Sequence, residues 1–182
     1  MQLVQTVAPT QEPITLEEAK AFLRIIDNDE DLLIATLIST VREHVENITN
    51  RQLENATFEL YDCFLPYKLP KNPIVSIDKI EYMDAVGDYV ELDSDTYYLY
   101  ENNGVGYINY SEIPTTIDHK KAFKLTLTCG YSEVPEAIKS YMKVKISTLY
   151  ENREEFVIGA SISQFGGKFI EDLLSSYKIR SI

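Results

Sequence analysis

The apolar residues of this chain change their spacing twice. Over residues 14–54 they recur every three or four positions, over 55–131 they tend to alternate, and from 135 onward they return to helical spacing. Helical runs grouped at the two ends and strand runs grouped in the middle argue for an α+β fold, not for alternating α/β units. The expected architecture is two N-terminal and two C-terminal helices around an antiparallel, β-rich middle. A chain of 182 residues fits one domain. Within it, 1–13 reads as an extended arm, 14–54 as helical, 55–131 as β-rich, and 135–182 as helical with a flexible loop at about 156–167.

The first helix has a definite start. Thr15-Leu-Glu-Glu18 is a capping box, in which each of Thr15 and Glu18 can bond the backbone amide of the other. Ile14 is placed to staple onto Ala19. The helix is expected to reach about Ile26, with Leu16, Ala19, Leu23 and Ile26 on one face. Asp27-Asn-Asp-Glu-Asp31 holds four acids in five residues but lacks the register, glycine and terminal glutamate of a calcium loop. It reads instead as negative charge at the start of a second helix. That helix spans about 29–49, with Leu33, Leu37, Val41, Val45 and Ile48 as its stripe and Ile34 and Ile38 beside it.

Strand signals follow. Phe58, Leu60 and Phe64 share one face of the first run. Pro66, Pro70 and Pro73 punctuate the link to the next. Within 74–83, Val75 and Ile77 face one way and Ile80 and Tyr82 the other, a phase change that suggests a bulge or a strand buried on both sides. Asp84–Gly87 reads as a turn into Tyr89–Leu92. Thr96–Glu101 and Val105–Tyr110 read as a hairpin closed by Asn102-Asn-Gly104. Phe123, Leu125, Leu127 and Cys129 alternate cleanly with polar neighbours. Pro135 then opens a third helix to about Glu151, on Ile138, Tyr141, Met142, Ile146 and Leu149. A last helix is expected over 168–177.

Net charge is −12 and is unevenly spread: −6 over residues 1–54, −7 over 55–134 and +1 over 135–182. Gripping nucleic acid needs clustered Lys and Arg, so this balance argues against a DNA-binding protein. The chain has 13 Tyr and no Trp. Tyrosine suits interfaces and also suits strands. Cys63 and Cys129 have no second Cys or His at metal-ligand spacing. The expectation is two buried free thiols, with a disulfide as the alternative. The N-terminus has no basic and apolar signal-peptide pattern, and no apolar run is long enough to span a membrane.

Catalytic motifs are absent: no G-x-S-x-G, P-loop, G-x-G-x-x-G, H-E-x-x-H or C-x-x-C. Asn103-Gly-Val-Gly106 does not join a strand to a helix N-terminus, so it is no phosphate cradle. The two histidines, His44 and His119, stand apart. No catalytic residue, cofactor or metal is expected, and the chain reads as no enzyme.

Three ordered stretches resemble the small head–tail connector (adaptor, head-completion) family of long-tailed phages and prophages. They are Pro13-Ile-Thr-Leu-Glu-Glu-Ala-Lys20 with Leu23-Arg24 and the acidic break; Leu69-Pro-x-x-Pro73-Ile-Val-Ser-Ile77; and Cys129-Gly-Tyr131, Val134-Pro135, Ile138-Lys139 with Leu149-Tyr-Glu-Asn-Arg-Glu154. The closing Leu173-Leu-Ser-Ser-Tyr177-Lys178 is similar to the family's ending. The resemblance spans roughly residues 13–178, although 156–167 matches no motif of the family.

The resemblance implies a structural virion protein. It would be a subunit of a homo-oligomeric ring joining the capsid's portal to the tail, assembled in the host cytoplasm and resident at the head–tail junction. Its partners would be copies of itself (as a free ring or only on the portal), the portal protein, and a tail or head-completion protein. DNA would only pass through the channel, and no membrane is involved. Tyr150, Asn152, Arg153, Glu154 and Phe156 are the candidate subunit contacts. The plainer reading makes Tyr150 a core cap and Arg153 an intrachain ion-pair partner. Alternatives are a tail-completion or terminator subunit, a small hydrolase working through carboxylates, and a monomeric β-rich ligand-binding module.

Overall fold

The computed structural model describes residues 1–152, 170 and 172–179. The chain forms two compact units. One holds residues 1–10 and 54–132 and is built of strands; the other holds 11–53 and 133–182, and its described residues contain the α-helices. The architecture is α+β, with an antiparallel sheet-rich middle and three α-helices among the described residues.

The β unit has a five-stranded antiparallel sheet in the order β1-β2-β7-β3-β4. Its strands are β1 (Gln2–Val7), β2 (Ala56–Asp62), β3 (Ile74–Met83), β4 (Tyr89–Glu91) and β7 (Phe123–Cys129). A two-stranded sheet joins β5 (Tyr97–Asn102) to β6 (Val105–Tyr110). The expected N-terminal arm is therefore paired as β1 along residues 57–61 of β2. At the centre, β7 behaves as its alternation predicts: Phe123, Leu125, Leu127 and Cys129 are buried and join Phe58, Leu60 and Ile80 in the core.

The phase change in β3 is two irregularities against β7, one between Ile74 and Ser76 and one between Ile77 and Lys79. An extra residue at each lets Ile74, Ile77, Ile80 and Tyr82 all pack on the same core. Val75, expected beside Ile77, is 53% exposed as a result. Phe64 is also exposed, because β2 stops at Asp62 and the strand alternation ends there. Asn103 and Gly104 take positive φ (51° and 71°), closing β5–β6 with the two-residue turn that suits a twisted hairpin. The Asp84 carboxylate accepts the amides of Val86, Gly87 and Asp88 at 2.9–3.0 Å, holding the β3–β4 turn and its own pKa below the usual carboxylate range.

In the helical unit, α1 (Leu16–Leu23) begins with the expected capping box. The Thr15 hydroxyl accepts from the Glu18 amide at 3.1 Å, and the Glu18 carboxylate accepts from the Thr15 amide at 3.0 Å. The helix ends earlier than Ile26, because Arg24 turns left-handed and Ile25 bonds back to Lys20. Ile26 is consequently 95% exposed. Helix α2 (Asp31–Thr49) buries Ile34, Ile38, Val41 and Val45; Val41 and Val45 lie on the stripe as expected, whereas in its first half Leu33 is exposed and Leu37 half-buried, and Ile34 and Ile38 take their place. The acidic break caps nothing through a side chain at Glu30; Asp31 instead pairs with Lys20 at 2.6 Å. Helix α3 (Glu136–Glu151) buries Ile138, Tyr141, Met142 and Ile146 and leaves Leu149 exposed. Of the expected last helix, residues 168, 169 and 171 lie outside those described; the described remainder ends in a turn and a 3-10 helix at Ser175–Tyr177, so a fourth α-helix to residue 177 is not what forms.

Candidate functional site

The exit of α3 holds the candidate contact residues. Tyr150 is half-buried, and its hydroxyl donates to the Glu30 carboxylate, 120 residues earlier in the chain. Asn152 caps the helix: its backbone amide and its side-chain amide both donate to the Thr148 carbonyl, at 3.0 and 2.9 Å. These bonds satisfy carbonyl capacity that a helix C-terminus leaves open. Arg153, Glu154 and Phe156 lie outside the described residues.

An apolar groove of about 340 Å³ lies alongside, lined by Thr40, Val41 and His44 of α2 and Lys145, Thr148 and Leu149 of α3. His44 also borders a smaller recess with Ile48, Tyr141, Leu174 and Lys178. Below these, the C-terminal stretch is tied to the end of α2. The Ile179 amide donates to the Thr49 carbonyl at 2.9 Å, and Arg51 Nε donates to the Tyr177 carbonyl at 2.6 Å.

Among the described residues, no group of three His, Cys, Asp or Glu side chains is arranged to hold a metal ion. Every buried side-chain nitrogen or oxygen described has a partner, so none points at an absent ligand. Glu46 is buried and accepts from Arg42 at 3.0 Å, Gln52 at 2.7 Å and the Leu53 amide at 3.1 Å. Burial pushes the Cys129 thiol up to about 12, which disfavours its thiolate at neutral pH. Cys63, expected to be buried, is exposed, because it follows the last residue of β2. Both thiols are free.

A family profile described as "Phage gp6-like head-tail connector protein" matches residues 13–118. The chain belongs to this head–tail connector family. Connector membership makes it a structural virion protein, as the ordered motifs imply. Three solved structures share the connector's fold over the whole chain, each covering 98% of the matched chain. The neck of an empty gene transfer agent particle, computed with C6 symmetry, has TM-score 0.78 at 17% identity. The virion of the native gene transfer agent particle has TM-score 0.77 at 17% identity, and the neck of the native particle, computed with C12 symmetry, 0.76 at 16%. No curated protein matches the chain.

Two structural residues of this connector escape a reading of the sequence. Asn72, which is 1% exposed, donates to the Leu69 carbonyl at 3.2 Å and accepts the Gly106 amide at 2.6 Å, fastening β6 to the loop before β3. Glu46 sits on the buried side of α2. The spacing of Arg42 and Glu46, one helical turn apart, is the signal that could have found it. Asn72 offers none beyond its place before Pro73.

Proposed function

We propose that this connector is a repeated ring subunit at the virion head–tail junction, docked on the portal and receiving a tail or head-completion protein. The observation that carries the reading is the match in fold, over the whole chain, to proteins of virion necks solved with six-fold and twelve-fold symmetry. Cyclic assemblies of one chain use head-to-tail contacts, in which one surface meets a different surface of the next copy. A net charge of −12 suits a wall that DNA slides past without sticking. Assembly in the host cytoplasm precedes this placement.

Tyr150, Asn152, Arg153, Glu154 and Phe156 are the proposed contacts with the neighbouring copy. The Tyr150–Glu30 and Asn152–Thr148 bonds support the reading by fixing the helix end that precedes the other three in the chain. The test is size-exclusion chromatography with light scattering, on the protein alone and mixed with a purified portal ring. A ring-sized species, or multi-copy recruitment to the portal, is the expected result. A strict monomer that ignores the portal at high concentration overturns the proposal.

A further inference from the structure

The β5–β6 sheet has two unlike faces. Strand alternation sends Tyr97 and Leu99 one way, opposite Tyr110 and Ile108. Ile108 is fully buried there, and Tyr97 and Tyr110 pack against the same core. Tyr98 and Tyr100 turn the other way, opposite Asn109 and Tyr107. Tyr67, from the loop before β3, joins them. The Tyr100 and Tyr107 rings stack at 5.4 Å with 18° between their planes. Tyr67 lies 5.4 Å from Tyr107, and Tyr98 lies 6.0 Å from Tyr100. Four phenol rings thus form one continuous surface, and Tyr67 and Tyr98 at its ends are 59% and 58% exposed.

The hydroxyls of Tyr67, Tyr98 and Tyr100 are already engaged. Tyr67 and Tyr100 bond to each other, and Asn109 donates to the Tyr98 oxygen at 2.6 Å. What the face offers a partner is therefore ring surface, held rigid by stacking and by these bonds. Rigid aromatic surface binds at low entropic cost. Ring faces carry negative quadrupole density and attract guanidinium and ammonium groups.

Charge selects the same partner. From Ile80 to His119 the chain carries nine acidic side chains and no Lys or Arg. Asp93 and Asp95 precede β5 and Glu112 follows β6, while Glu101 lies near the turn on the side of Tyr97 and Leu99. Lys68, whose backbone bridges to Tyr107, is the opposing charge at one margin. We propose that the Tyr67–Tyr98–Tyr100–Tyr107 face is a docking surface for an arginine- or lysine-bearing segment of a partner protein. The aromatic rings take the cationic heads, and the net negative charge of this stretch of the chain attracts the segment at longer range. A nucleic acid meets the wrong sign of charge. The proposal stands apart from ring formation, which is read by a different assay.

The test uses the full chain with ¹³C-labelled tyrosine rings, titrated with a hexa-arginine peptide and followed by NMR. Saturable shifts concentrated on Tyr67, Tyr98, Tyr100 and Tyr107 are expected. Tyr98→Leu/Tyr100→Leu weakens binding at least tenfold, whereas Tyr98→Phe keeps it within about twofold, the ring being what binds. Tyr98→Leu alone, at the exposed end of the cluster, gives an intermediate loss and serves if the double variant does not fold. Shifts spread evenly over all tyrosines, affinity unchanged by the leucine variants, or a preference for hexa-glutamate or a single-stranded DNA oligonucleotide each overturn the proposal.

Discussion

Arg42 and Glu46, one turn apart on α2, form a 3.0 Å ion pair whose side chains are only 12% and 9% exposed. Arg42 also reaches Glu12 at 2.8 Å, so the guanidinium ties the approach to α1 onto α2. Glu46→Ala leaves the Arg42 charge short of a partner and strands the Leu53 amide and the Gln52 side chain. Breaking a buried pair from one side costs about 3 kcal/mol or more. Urea denaturation of Glu46→Ala is expected to show that loss, and Glu46→Gln, which still accepts hydrogen bonds, a smaller one.

Asn72 supports a second prediction. Replacing it with Ala leaves the Gly106 amide buried and unpaired, at a cost of about 1–3 kcal/mol. The opposite approach fails for a different reason. A Cβ at residue 106 would come within 2.6 Å of Ile74 Cγ1, so Gly106→Ala displaces the core side chain. Both variants are expected to lower the denaturation midpoint.

Stability responds to pH through the exposed face of the large sheet. The Tyr61 hydroxyl and then Lys124, at 2.6 and 3.0 Å, hold the Glu59 carboxyl below its usual 4.5. A pKa depressed on folding contributes stability that is complete above 4.5 and is lost as pH falls through the lower folded value. Lys124 is raised above 10.5, chiefly by Glu59, so its contribution is complete below 10.5 and is lost as pH rises through the higher folded value. The pair is partly exposed, which keeps the effect under about 1 kcal/mol. Denaturation midpoints measured from pH 6 down to pH 3 are expected to fall less steeply in Glu59→Gln than in the parent.

The two thiols differ in reach. Cys63 is exposed and Cys129 buried with its pKa pushed up to about 12. An aromatic disulfide reagent at neutral pH is expected to titrate one thiol per native chain and two in denaturant. Rapid reaction of both in the native state would contradict the burial of Cys129.

The sequence is most legible where one local rule acts alone. The Thr15–Glu18 box, the Asn103-Gly104 turn and the alternation of β7 each depend on neighbours in the chain, and each forms as read. Errors arise where a boundary or an extra residue resets the phase. Ile26 lies past a left-handed Arg24, Phe64 lies past the end of β2, and Val75 is the extra residue of the first irregularity of β3. At α2, Leu33 and Leu37 fit a helical stripe as well as Ile34 and Ile38 do, and only tertiary packing decides between them. The candidate contacts came from family motifs alone; the bonds of Tyr150 to Glu30 and of Asn152 to Thr148 carry no signal in those motifs. The tyrosine face was invisible as a site, because Tyr67 joins it from outside the hairpin.

The β unit is built from two separated stretches, with α1 and α2 lying between β1 and β2 in the chain. Gln2 pairs with Tyr61, so during synthesis β1 must wait for the whole of both helices before its partner exists. At common translation rates that delay is roughly 3–12 seconds. The order of synthesis therefore favours α1 and α2 forming while β1 is still solitary. Nor can either unit be excised by a single cut, since the backbone passes between them near residues 10, 53 and 132. Protease nicking at one loop would leave both halves present and still threaded through each other's sequence.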